Sequence, residues 1–172
     1  MSEKQYRVAV VGGAGMWGRN YLQAFAQRTD CSVVLVDPSE RAREFAGHFG
    51  VGEVLDTLEA LLNRETPDIV ANILPVRLSH DAVIACAEAG VKAVSCEKPM
   101  AVELSAADEM VRVCQERGTA FGCATAYWEV PFLQECAQWL REGHIGQLKA
   151  VSIPGGLPRE VSGAGCVQLT QM

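Results

Sequence analysis

Three glycines, Gly13, Gly15 and Gly18, stand as G-x-G-x-x-G in the stretch GGAGMWG, directly after an apolar run and directly before an amphipathic one. In that spacing the first glycine makes a tight turn, the second lets backbone approach a pyrophosphate, and the third lets helix pack on strand. Ala14, Met16 and Trp17, between the glycines, bring their backbone to the helix start, where N–H groups face an anion. Nineteen residues beyond Gly18, closing the next apolar run, Asp37 is placed to accept hydrogen bonds from an adenosine ribose. Its charge would repel a 2′-phosphate, so NAD is expected first. Ser39, Arg41 and Arg43 follow closely and keep NADP open, because a guanidinium pairs with phosphate. The structural alternative is a plain glycine turn with Asp37 capping the helix that opens at Ser39.

A second candidate lies in VSCEKPMAV, where Glu97, Lys98 and Pro99 close an apolar run that resumes at once with small apolar residues. Two opposite charges beside a buried strand carry a desolvation penalty unless something at the strand end uses them. The competing reading is a surface pair of neighbouring charges ahead of a helix-breaking proline.

These residues need elements to hold them. Short runs rich in Val, Ile and small apolar residues predict strands at 6–11, 32–36, 69–74, 92–96 and 119–124. Between them, apolar residues recurring at three and four predict helices at 16–27, 39–49, 57–64, 79–89 and 105–117. In the last of these Ala107, Met110, Val111 and Cys114 form one face, Ser105 with Asp108 gives an N-terminal capping signal, and Gly90 and Gly118 sit where C-terminal caps belong. Strand and helix alternating five times is the pattern of an α/β, doubly wound parallel sheet, with strands apolar on both faces. Past residue 124 the rhythm changes to a longer amphipathic stretch, 130–142, and a strand-like run, 148–153. The expected organisation is therefore a dinucleotide-binding domain over 1–124, then the incomplete start of an α/β second domain over 125–172.

Composition narrows the function classes. The chain has 172 residues, 49% hydrophobic and 21% charged, with a net charge of −6 and no basic run, which argues against nucleic acid or a membrane surface as partner. Lys4 and Arg7 ahead of an apolar run superficially resemble a secretory leader. Glycines interrupt that run, Arg19 follows it, and no small-residue cleavage site appears, so a strand and a glycine loop explain it better. No stretch approaches the roughly twenty apolar residues of a membrane helix. Seven cysteines are spread without C-x-x-C or Cys/His spacing, which suggests small buried hydrophobes in a reducing, cytoplasmic setting and no metal site.

The loop GGAGMWG, Asp37, NILPVRLSH and CEKPM come in the order that resembles the Gfo/Idh/MocA oxidoreductases, the glucose–fructose oxidoreductase and inositol dehydrogenase group. The resemblance covers essentially the whole chain and is most specific between Val8 and Pro99. It implies a Rossmann domain and hydride transfer between a nicotinamide cofactor and a carbon–oxygen centre of a sugar, cyclitol or related small molecule. By the same resemblance Lys98 stands at the reacting hydroxyl or carbonyl and favours the developing alkoxide. Glu97 holds cofactor ribose or orients Lys98, and Pro99 follows a cis peptide bond that aims Lys98. Asn72 and Pro75 line the cofactor cleft. His80 also matches the family, with helix-start packing its expected role, and Tyr127 and Trp128 fall where substrate or cofactor contacts are possible, with packing equally open.

The resemblance also has a gap. Members of the family are roughly twice this length, a second α/β domain supplying most substrate contacts and often the oligomer interface. Aligned on the tail SGAGCVQLTQM, a position where the family carries an aspartate holds Leu169, and a following histidine would fall beyond Met172. A truncated oxidoreductase, a dinucleotide-binding sensor without turnover and an inactive fragment are the readings this leaves, with self-association through the second domain expected for a full-length form.

Overall fold

A computed structural model of the chain describes residues 6–123 and 130–150. The chain packs as two compact units, residues 1–124 and 125–172. The first runs β1 (Tyr6–Val11), α1 (Gly18–Ala26), β2 (Cys31–Val36), α2 (Arg41–Phe49), β3 (Val54–Leu55), α3 (Leu58–Leu62), β4 (Ile69–Asn72), α4 (Val76–Glu88), β5 (Ala93–Cys96), α5 (Leu104–Arg117) and β6 (Ala120–Cys123). The six strands form one sheet in the order β3-β2-β1-β4-β5-β6, every pairing parallel.

Strand periodicity divides the core. On one face Ala9, Val11, Val34, Val36 and Val70 pack with Leu61 of α3, Val83 of α4 and Met110 of α5. On the other, Val10 and Leu35 pack with Leu22 of α1 and Ala42 and Ala46 of α2. Val8 to Val11 are at most 2% exposed, so β1 is buried on both faces, which is why it reads as an unbroken apolar run. Each buried Val or Leu contributes about 1.5–3 kcal/mol from apolar burial.

The elements depart from sequence expectation in instructive places. The edge strand β3, Val54–Leu55, is two residues long and too short to show a period. Helix α4 begins at Val76, directly after Pro75, rather than at Ser79, because proline leaves the next residues free to turn. Helix α5 starts at Leu104 with Glu103 at its N-cap and no side-chain cap bond, so Ser105 lies inside the helix instead of capping it. Val113, not Val111, joins Met110 and Cys114 in the core; Val111 is 36% exposed. The helix ends at Gly118, whose φ of 71° is a left-handed conformation that glycine adopts without a Cβ clash.

Of the second unit, α6 (Pro131–Arg141) is described, with proline in its first turn, where the missing N–H has no intrahelical partner anyway. Leu133, Cys136 and Ala137 are half-buried, while Phe132, Trp139 and Leu140 are exposed. Leu148 to Ala150 have no strand structure, and the rest of the strand expected at 148–153 lies outside the described residues. Among the described residues no helix is long and apolar enough to cross a membrane.

Candidate functional site

The register of the sheet places the candidate residues on one line. Leu55, Val36, Val11, Asn72, Cys96 and Cys123 are successive partners at the carboxyl ends of the six strands. Gly12, Asp37, Ile73 and Glu97 each follow that row by one residue, and each is held by one further backbone bond. Gly12 donates to Val36 O (2.8 Å), Asp37 to Leu55 O (2.9 Å), Ile73 to Val11 O (2.8 Å) and Glu97 to Asn72 O (3.2 Å). β1 and β4 adjoin although the chain between them runs out through β2 and β3, so their carboxyl ends form the topological switch point where open α/β sheets bind ligands.

The glycine loop occupies this point. Its tight turn falls on Gly12, with φ of 79°, rather than on Gly13. A Cβ on Gly12 would lie 2.6 Å from Ile73 O, and one on Gly13 would lie 2.3 Å from Leu35 Cδ1. Neither position has room for a side chain, and the positive-φ turn falls one residue before the G-x-G-x-x-G pattern begins. Gly18 packs closest, since its Cβ would come within 2.1 Å of Gly12 O. Gly15 differs: it is exposed, and a Cβ there would meet only Gly12 O, at 3.2 Å. Among the described residues the N–H groups of Met16, Trp17 and Gly18 have no hydrogen-bond acceptor, as expected of the first turn of a helix. An open side at Gly15 beside three unpaired donors at a helix start is a cradle that fits a pyrophosphate.

Asp37 is only 8% exposed and braces this loop. Its Oδ2 accepts from Ala14 N–H at 3.0 Å and its Oδ1 from Ser39 N–H at 2.9 Å. Helix α2 begins at Arg41, so the Ser39 bond closes a turn and does not cap the helix. A carboxylate has about four acceptor positions, and two are taken, which leaves capacity for a ribose diol. Arg41 lies with its guanidinium 5.8 Å from the centre of the Phe45 ring, and Arg43 is exposed.

Across the switch point, Asn72 is 1% exposed. Its Nδ2 donates to Ser79 O and its Oδ1 accepts from Leu74 N–H, both at a long 3.4 Å, so the side chain shapes the turn that carries exposed Pro75. Glu97 is half-buried, and the Tyr21 hydroxyl donates to its Oε1 at 2.6 Å. Burial first, then this bond and the charge of Glu97, push the Tyr21 phenol far above its usual range, so it stays a donor. Tyr21 sits on α1, one turn beyond Gly18, and ties the helix opened by the glycine loop to the end of β5. Sequence reading missed it, since a lone tyrosine in an amphipathic helix carries no signal until the partner is known.

Lys98 is exposed and makes no ion pair with any described residue. The Lys98–Pro99 peptide is cis, and Met100 and Ala101 beyond it pack against the core. His80 stands apart, its ring bonded to Asp81 (2.8 Å) and, on α5, to Glu109 (3.0 Å), so it ties two helices. Tyr127, Trp128 and Leu169 lie outside the described residues.

Comparison with known proteins agrees with this fold. The family model described as "Oxidoreductase family, NAD-binding Rossmann fold", GFO_IDH_MocA, matches residues 6–125. The chain is 32% identical over 146 residues to a D-apiose dehydrogenase of Paraburkholderia graminis, covering 83% of this chain and 38% of that one. It is 29% identical over 159 residues to a dTDP-3,4-didehydro-2,6-dideoxy-α-D-glucose 3-reductase of Actinomadura kijaniata, covering 91% and 47%. A crystal structure of a 3-ketoreductase from Actinomadura kijaniata in complex with NADP superposes with a TM-score of 0.74 at 30% identity, covering 83% of this chain and 46% of that one. A myo-inositol 2-dehydrogenase from Lactobacillus plantarum superposes at 0.77 and 19% identity over 84% of this chain and 43% of that one, a likeness of fold alone. The chain spans less than half the length of each of these relatives.

Proposed function

From the premise that this chain belongs to the Gfo/Idh/MocA oxidoreductase family, we propose that it forms the cofactor-binding part of an NAD(P)-dependent oxidoreductase acting on a carbon–oxygen centre of a sugar, cyclitol or related small molecule. The observation that carries the reading is the single row at the carboxyl ends of the strands, which brings the glycine loop, Asp37 and the Glu97–Lys98–Pro99 segment to one switch point. When bound, the nicotinamide supplies the hydride acceptor or donor. Gly13, Ala14, Gly15, Met16, Trp17 and Gly18 receive the pyrophosphate through loop backbone, and Asp37 takes the adenosine ribose, favouring NAD, with Arg41 and Arg43 the route to NADP. Asn72 and Pro75 shape the cleft wall. Glu97, steadied by Tyr21, holds ribose or orients Lys98, and Pro99 fixes the turn. Lys98 binds the reacting oxygen and favours the alkoxide that develops as hydride leaves or arrives.

In this reading residues 1–124 are the cofactor domain, residues 125–172 begin the substrate domain, and Trp128 contacts substrate. A cytoplasmic location and self-association through the substrate domain belong to the same proposal. NADH and NADPH titrated against the chain by calorimetry test it: saturable binding of at least one, NADH the tighter, is expected, and binding of neither overturns it. A second reading, a dinucleotide-binding module without turnover, draws on Leu169, which cannot take a proton. Binding without hydride transfer to any sugar or cyclitol offered would favour it.

A further inference from the structure

Cys96 ends β5 and Cys123 ends β6, and the two are register partners in the row that immediately precedes Glu97. Paired parallel strands lie about 4.8 Å apart, inside the span of about 4.4–6.8 Å that a disulfide bridges between Cα atoms. Cys96 is 1% exposed, whereas Cys123 is half-buried on the strand that forms the sheet edge among the described residues. Cys96 belongs to the buried core cluster, and Cys123 packs against that same cluster. The neighbouring Cys96 side chain lowers the Cys123 thiol against the opposing effects of burial and the charge of Glu97. The Cys96 thiol is raised in turn, by its neighbour Cys123 first and by burial second. Cys86 and Cys114, in the helical layer, are both raised by burial, Cys86 to about 12, and so are poor nucleophiles.

We propose that Cys96 and Cys123 are a peroxide-oxidisable dithiol pair that regulates the adjoining site, with Cys123 the attacking sulfur and Cys96 the resolving one. The Cys123 thiolate attacks a peroxide oxygen; the O–O bond breaks, Cys123 becomes a sulfenic acid, and the hydroxide released takes a proton to form water. The Cys96 sulfur then attacks the Cys123 sulfur; the S–S bond forms, the S–O bond breaks, and the leaving hydroxide takes the Cys96 proton as a second water. Two thiols lose two electrons, and the peroxide gains them. Disulfides need Cβ atoms about 3.8 Å apart, closer than parallel neighbours ordinarily stand, so the bond draws the ends of β5 and β6 together and displaces Glu97 and Lys98. A bond strained in this way is readily reduced, which makes the change reversible. Only this consequence for cofactor rests on the function proposed above.

The test uses the chain treated with hydrogen peroxide, alkylated under denaturing conditions and mapped by peptide mass. A Cys96–Cys123 cross-linked pair, two hydrogens lighter and lost on treatment with dithiothreitol, is expected. With Cys96→Ala, Cys123 is expected to accumulate a sulfenic acid trapped by dimedone; with Cys123→Ala, Cys96 is expected to stay a thiol. Alkylation of both Cys96 and Cys123 after peroxide has oxidised other cysteines, or pairing of Cys123 elsewhere, overturns the proposal in the wild-type chain, whether or not the variants fold. NADH affinity of the oxidised form is expected to fall about tenfold, because the displaced groups no longer hold the geometry that a binding site needs. A cross-link with unchanged NADH affinity overturns the regulatory part. Absence of NADH binding in the reduced chain overturns the cofactor reading instead and leaves the dithiol chemistry standing.

Discussion

The two ends of the strands handle charge in opposite ways. At the amino ends Arg7 bonds Glu65 and Glu53, Arg64 joins the same two carboxylates, and Lys92 and the Arg7 backbone N–H both bond Asp68. Each of these charges is answered by another belonging to the fold. At the carboxyl ends Asp37 and Glu97 are answered by N–H and O–H groups, and Lys98 by no charged group among the described residues. Both ends have access to water, so exposure alone does not explain the difference. Hydrogen bonds to neutral donors leave a carboxylate its charge and part of its acceptor capacity, whereas an ion-pair cluster uses up both. The amino rim is built to hold the sheet together, and the carboxyl rim to meet something outside it.

The sharpest way to break this contrast is at Lys98. Lys98→Met is expected to lower hydride transfer by about 10²–10³-fold, the loss seen when one group stabilising a developing oxyanion is removed, with NADH affinity and melting temperature nearly unchanged. Steady-state rates beside calorimetric binding check it, and turnover equal to wild type would place the chemistry elsewhere.

The glycines separate the two uses of the carboxyl rim itself. Gly18→Ala puts a Cβ 2.1 Å from Gly12 O, and a shift of backbone against backbone should destabilise the fold by about 2–4 kcal/mol and abolish dinucleotide binding with it. Gly15→Ala meets one atom at 3.2 Å, so stability should stay within about 1 kcal/mol while NADH affinity falls about tenfold, because the added methyl stands where backbone approaches phosphate. Urea melts and NADH titrations of the two variants should therefore diverge. Equal losses in both assays would mean that Gly15, too, is there for packing.

Arg7 gives the opposite signature. Arg7→Met should cost about 1–2 kcal/mol after allowance for solvent screening of partly exposed groups, with no change in NADH affinity. The same cluster sets an acid limb. Beside Arg7 first, and then Arg64, the carboxyls of Glu53 and Glu65 lie below the ordinary carboxylate range. Their contribution is complete above the unfolded value of about 4.3 and is lost as pH falls through the lower native values. Melting temperature against pH should accordingly fall below about pH 4.3 in the wild type, and fall less steeply in Arg7→Met.

How far all this could be read from sequence follows the range of each interaction. Strand β1 announced itself because it is buried on both faces, and Asp37 because it closes such a strand at a set distance from the glycines. The two-residue β3 had no room for a period, and the turn at Gly12 was hidden because the letters of G-x-G-x-x-G match only from Gly13 onward. Ser105 had the right neighbours for a cap, but the chain enters α5 one residue earlier. Least legible were the long-range pairs, Tyr21 with Glu97 and Cys96 with Cys123, since strand order must be known before residues so far apart can be called neighbours. The candidate chemistry was therefore visible, while the groups that orient it were not.

Two helix-borne ties extend the contrast to smaller effects. Tyr21→Phe removes the 2.6 Å bond to Glu97 but keeps the ring. NADH affinity should fall by roughly threefold to tenfold, the equivalent of about 0.6–1.4 kcal/mol for one hydrogen bond, with little change in melting temperature. His80 should do the reverse and more weakly. Its ring lies between Asp81 and Glu109, and the bond to Asp81 first, then that to Glu109, raises its proton affinity above that of a free imidazole. A raised native value means stability fully present below the unfolded value of about 6.5 and lost as pH climbs through the native one. His80→Gln should remove only a few tenths of a kcal/mol at pH 6, a difference that closes by pH 9, and should leave NADH affinity unchanged at both. If the His80 variant instead weakened NADH binding with the same pH dependence, the α4–α5 tie would have to be counted with the carboxyl rim, and the division between holding and meeting would run through the helices rather than between the two ends of the sheet.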